Sequence, residues 1–176
     1  MDSFSAAGHP PLDPLTPQPP AAASLRDWER LMHSGRHAQL LGQQTSAQQL
    51  TRQALALAEL LLEERNSPPD DSVAAYVVSH HNMAFLLQQT GDSQTAATHL
   101  CQAHAKLMAL LRDASAPAPL QQAAWRHSRE THAALLQFLR EPNLPNMPAD
   151  ASAVILVTQA LSAHANLAQH CGATQH

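Results

Sequence analysis

Twelve histidines and two cysteines are the side chains of this 176-residue chain best suited to chemistry. Cys101 and His104 are three residues apart, and His33 and His37 four apart. Either spacing brings two side chains to one face of a helix, where they could share a zinc or copper ion. Each pair is half of a closed site, which takes three or four ligands, and His80, His99, His127 or His132 would supply the rest only where the fold converges them. Protonating all twelve imidazoles adds twelve charges to a formal −4, reaching +8. Much of that change falls near the ordinary imidazole pKa of about 6.5, so a pH-responsive protein is a related expectation. The plainer readings are a core histidine at His80, hydrogen-bonded to a neighbouring helix, and a small buried apolar residue at Cys101.

Catalytic patterns are missing. The chain has no Gly-rich phosphate loop, no HExxH, no nucleophile elbow and no carboxylate pair at a recognisable spacing, and the dipeptide His80-His81 specifies no reaction. The expectation is therefore a non-enzyme without a cofactor. The ten basic residues are scattered and Lys106 is the sole lysine, so no cluster is present to neutralise a run of phosphates. No apolar run approaches the ~20 residues that cross a bilayer. Cys101 and Cys171 lie far apart with no CxxC pairing, which reads as reduced thiols in a cytoplasmic protein. Nucleic acid and membrane are thus excluded as expected partners.

The elements that must position these side chains read as helices. Apolar content is 44%, yet only six residues are aromatic, so the core has to be built mostly from Leu, Ala, Val and Met. Leu and Ala are strong helix formers, and small side chains let helices approach closely. Residues 1–23 carry Pro10, Pro11, Pro14, Pro17, Pro19 and Pro20, too many missing donors for a helix or ladder, and are expected to form a disordered tail. A helical domain is expected over 24–172 and a disordered end over 173–176. Ser24 caps a first helix that carries Asp27 in its first turn and weakens or ends at Gly35. A second helix is expected from about Arg36 to Arg65. Pro68 and Pro69 then break the chain, with Asp70 or Asp71 capping the next helix. Pro117 and Pro119 separate a later helix that reaches about Arg140, and a last apolar helix begins at Asp150 or Ser152.

The central stretch, Val73–Leu111, reads as a complete helical hairpin. Tyr76, His80, Met83, Ala84 and Leu87 share one face of its first helix, and Ala96, Leu100, Ala103 and Leu107 one face of its second. Between them, Thr90-Gly91-Asp92 supplies a glycine able to close a helix and an aspartate to cap the next. Gly42, Ala47 and Ala54 repeat the spacing of Gly91, Ala96 and Ala103, 49 residues earlier. The pattern of Asn82-Met83-Ala84, Leu87, Gly91-Asp92, Ala96, Leu100 and Ala103 resembles a tetratricopeptide repeat, although His80 stands where that family usually places an aromatic. The resemblance implies an all-α, right-handed α-solenoid of about three antiparallel hairpins. It also implies a concave groove that binds a peptide or partner protein, as in an adaptor or chaperone-like scaffold. Carried over residue by residue, the groove stripe is Val78, His81, Asn82, Phe85, Gln88 and Gln89. The lysines that complete a carboxylate clamp beside Asn82 in some family members are absent. Self-association through the apolar last helix is a further expectation.

Overall fold

The computed structural model describes residues 23–140 and 152–162. The expected disordered segments at 1–23 and 173–176 therefore fall almost wholly outside the described residues. All regular structure among the described residues is helical: α1 (Leu25–Leu40), α2 (Gln44–Glu64), α3 (Pro69–Gln89), α4 (Ser93–Arg112), α5 (Ala118–Arg140) and a further helix, α6, over 152–162. No described helix is long and apolar enough to cross a membrane.

Sequence chemistry accounts for most of the boundaries. The Ser24 hydroxyl accepts from the Asp27 amide at 3.2 Å, and the Asp92 carboxylate accepts from the Thr95 amide at 3.0 Å, so each satisfies a backbone donor that the first helical turn leaves free. Gly42 and Gly91, with φ of +71° and +80°, end α1 and α3 in the left-handed region that a Cβ disfavours. The helices after these two turns match as well. Ala47 and Ala54 of α2 and Ala96 and Ala103 of α4 are all completely buried, so the alanines of the 49-residue sequence repeat take the same buried role in both helices.

Three boundary expectations need correction. Gly35 does not weaken α1, which runs unbroken to Leu40. It is buried against α2, where an added Cβ would lie 3.2 Å from Thr51 Oγ1 and 3.5 Å from Leu50 Cβ. Close helix approach there offsets the helix-propensity cost of glycine, about 1 kcal/mol. The stretch from Arg36 to Arg65 is two elements rather than one, because Gly42 reverses the chain before α2 begins. Neither Asp70 nor Asp71 caps α3. The helix starts on Pro69 without a side-chain cap, and Asp70 instead pairs with Arg126 of α5 at 2.7 Å.

Consecutive helices pack against each other from α1 to α5, and the odd-numbered helices also meet, α1 with α3 and α3 with α5. Helix α2 thus bridges α1 and α3, as α4 bridges α3 and α5. One core cluster joins Val73, Tyr76 and Val77 of α3 to Ala103 and Leu107 of α4 and to Leu120, Ala123 and Ala124 of α5. A second gathers Ala84, Leu100, Cys101, Leu135 and Phe138, and Ala153 and Val157 of α6 close over it. Burying a leucine or phenylalanine in such a cluster contributes roughly 1.5–3 kcal/mol. Trp28 donates its indole N–H to Ser79 Oγ at 2.8 Å and ties α1 directly to α3.

Candidate functional site

The amphipathic logic that buries Ser79, Met83 and Leu86 of α3 leaves an adjoining stripe of the same helix uncovered. Phe85 is 49% exposed and Val78 38%, unusual for large apolar side chains on the helix that packs against the most neighbours. With Asn82, Leu86 and Gln89 they form one wall of an open trough of about 810 Å³. The other wall is α1, through Met32, His33, Gly35, Arg36, Gln39 and Leu40, with Thr51 of α2 at the base. Trp28 and Ser79 pin the two walls together by a hydrogen bond. Another link comes from Gln89, whose side-chain oxygen accepts from Gln39 at 3.3 Å and from Gln44 at 3.2 Å.

Four of the six groove residues read from the sequence, Val78, Asn82, Phe85 and Gln89, line this trough. His81 and Gln88 do not. His81 is half-buried, and its proton affinity responds to Glu130 of α5, which places it on the other flank of α3. Burial lowers its pKa more than the Glu130 charge raises it, and its Nε2 is buried without a hydrogen-bond partner. The α1 wall is not among the sequence expectations, yet the chain carries a signal for it. Moving the six-residue stripe back by the 49-residue repeat gives Glu29, Met32, His33, Arg36, Gln39 and Leu40, and all but Glu29 line the trough.

The candidate ligand side chains are dispersed into separate pairs. His80 Nδ1 lies 3.2 Å from His99 Nδ1, bridging α3 and α4, with the Tyr76 ring edge-on to His80 at a centroid distance of 4.5 Å. His80 is 1% exposed, and burial first, then the neighbouring His99 and His81, pushes its pKa down to about 3. Burial also lowers His99, with Arg52 adding to the effect, and drives the Tyr76 hydroxyl up to about 12. His104 points elsewhere: its Nδ1 is 2.8 Å from the Thr131 hydroxyl, and its ring lies near that of His132. Cys101 is a buried free cysteine whose thiol burial pushes up to about 11, which keeps it protonated near neutral pH. His127 sits between Asp70 and Glu130, 3.4 and 3.3 Å from their carboxylates. Among the described residues no three His, Cys, Asp or Glu side chains converge closely enough to hold a metal ion. Cys171 lies outside them.

Lys106 stands beside Glu59, Glu63 and Tyr76 in a small pocket away from the trough. Arg126 is engaged by Asp70 within the chain. The described part of the last helix turns Ala153 and Val157 inward and leaves Ile155 exposed.

A family model described as a protein of unknown function (DUF2753) matches residues 26–171. The chain belongs to the DUF2753 family. No curated protein and no solved structure matches it. The DUF2753 match starts in the first turn of α1 and takes in every later described helix, so it covers both walls of the trough.

Proposed function

We propose that this DUF2753 protein is a cytoplasmic adaptor or chaperone-like scaffold, built as a tetratricopeptide-like right-handed solenoid, whose trough between α1 and α3 takes an extended segment of a partner protein. The observation that carries the reading is Phe85, half exposed in the middle of a concave surface and flanked by amide side chains. An aromatic face offers apolar area with little side-chain entropy to lose, and Asn and Gln can each donate to and accept from a peptide backbone. Contacts between α1 and α3 and between α3 and α5, with even-numbered helices bridging them, are the pattern that stacked hairpins require, and the equivalent turns at Gly42 and Gly91 support it.

The test is affinity capture with three forms of the chain: wild type, Val78→Ser/Phe85→Ser in the trough, and Leu60→Ser, which alters a 46% exposed leucine of α2 outside it. Partners should be lost with the trough variant and kept with the control, both proteins remaining helical by circular dichroism. Capture that survives the trough variant sinks the proposal. A second reading, acid-responsive regulation, is favoured by the buried His80–His99 pair, and a helical signal and light scattering unchanged between pH 7 and 5 would eliminate it.

A further inference from the structure

The trough carries an arginine and is free of carboxylates. None of its lining residues is aspartate or glutamate, although acidic residues outnumber basic ones by 14 to 10 in the whole chain. Arg36 takes no part in the ion pairs of the described residues, which use Arg30 and Arg126 as their arginines. The Gln89 oxygen is engaged by Gln39 and Gln44, which leaves its amide nitrogen, together with the Asn82 amide, to serve an incoming segment. Such a surface favours a strand that brings negative charge for Arg36, backbone groups for the amides, and apolar side chains for Phe85 and Met32.

Residues 1–22 have that chemistry. Their six prolines keep a carbonyl and lack an N–H, Asp2 and Asp13 stand without a lysine or arginine, and Leu12 and Leu15 flank Asp13. The segment leads directly into α1, the helix that forms one wall. At about 1.5 Å rise per residue, the wall from Met32 to Leu40 lies roughly 10–23 Å along α1 from Leu25. Polyproline-type chain advances about 3.1 Å per residue, so the stretch from Leu15 to Ser24 covers about 28 Å, enough to double back along that wall. Tethering supplies an effective concentration on the order of millimolar, so even a weak contact is populated. A Pro-rich strand also has little backbone entropy left to lose on docking against an aromatic.

We infer that residues 1–22 dock in the trough of their own chain, with Asp13 against Arg36 and Leu12 and Leu15 over Phe85, as an internal occupant that a partner segment must displace. This rests on the trough being a binding surface and adds its regulation. The test uses the full chain with a nitroxide on Thr16→Cys in a Cys171→Ser background, the buried Cys101 being retained. Amide signals of Arg36, Asn82 and Phe85 should lose intensity several-fold, independently of protein concentration. Asp13→Arg should relieve the loss, and Asp13→Arg combined with Arg36→Asp should bring it back. Absent or uniform broadening, broadening that grows with concentration, or broadening indifferent to Asp13→Arg overturns the inference. No partner enters this readout. A docked segment with capture untouched by Val78→Ser/Phe85→Ser would remove the adaptor reading alone, and an undocked one with capture lost at Phe85 would remove only this inference.

Discussion

His80 of α3 and His99 of α4 turn their Nδ1 atoms toward each other at 3.2 Å inside the contact between those helices. One ring must donate and the other accept, so the accepting ring must be unprotonated at Nδ1, and a proton placed there removes the bond. The folded pKa of His80, about 3, lies below its ordinary 6.5, so the unfolded chain binds the proton more readily. The stabilisation from keeping His80 neutral is complete above pH 6.5 and is lost progressively as pH falls toward 3. His81 and His99 are lowered as well and act in the same direction. Between pH 7 and 5 urea denaturation should show a loss of about 2 kcal/mol from His80 alone, at about 1.36 kcal/mol per pKa unit. His80→Leu should flatten the profile by about that amount. A variant as acid-sensitive as wild type would show that the pair does not set the slope.

The two positive-φ turns should respond alike. Gly42 and Gly91 have no neighbour within 4 Å of where a Cβ would stand, so only backbone strain opposes alanine at either position. Gly42→Ala and Gly91→Ala should each cost about 1 kcal/mol. Denaturation midpoints that differ widely between the two would argue against the equivalence of the two turns.

Gly35 should behave differently, since its limit is space rather than φ. Gly35→Ala places a methyl 3.2 Å from the Thr51 hydroxyl, and the helix-propensity gain of about 1 kcal/mol partly offsets that crowding. Gly35→Leu has no such offset at this helix contact and should cost about 2 kcal/mol or more. Thermal melts of the two variants separate steric crowding from propensity, and equal melts would contradict the close approach of α1 and α2.

Phe85 and Phe138 should separate binding from folding. Phe138 is 2% exposed in the cluster closed by α6, and Phe138→Ala should cost about 3–5 kcal/mol. Phe85→Ala removes a half-exposed ring and should change stability by about 0.5–1 kcal/mol at most. A large loss of stability at Phe85 would reassign it to the core and withdraw the trough as a docking surface.

Much of the helical layout is legible in the chain because it arises from local chemistry. Ser24 and Asp92 announce helix starts through their side-chain oxygens, and Gly91 announces a stop through its freedom at positive φ. Gly35 misleads because nothing local distinguishes a glycine that ends a helix from one that admits a neighbouring helix; the distinction lies in Thr51 and Leu50, 16 and 15 residues away. Asp70 has the look of a cap, and its pairing with Arg126 is a tertiary contact across 56 residues. In the trough, period 3.6 places Val78, Asn82, Phe85 and Gln89 on one stripe, but whether α1 or α5 covers its edge depends on packing. His81 falls on the α5 side and drops out. The α1 wall becomes legible only when the 49-residue repeat is applied to exposed positions as well as to Gly42, Ala47 and Ala54.

Helix α3 meets α1, α2, α4 and α5, and that centrality sets an order of disassembly. Loosening at either end of the chain can strip one outer rod at a time, whereas α3 cannot let go until its surroundings have melted. Its amide hydrogens should therefore be the last to exchange with deuterium, and the surface carrying Phe85 should persist in partly unravelled forms of the protein.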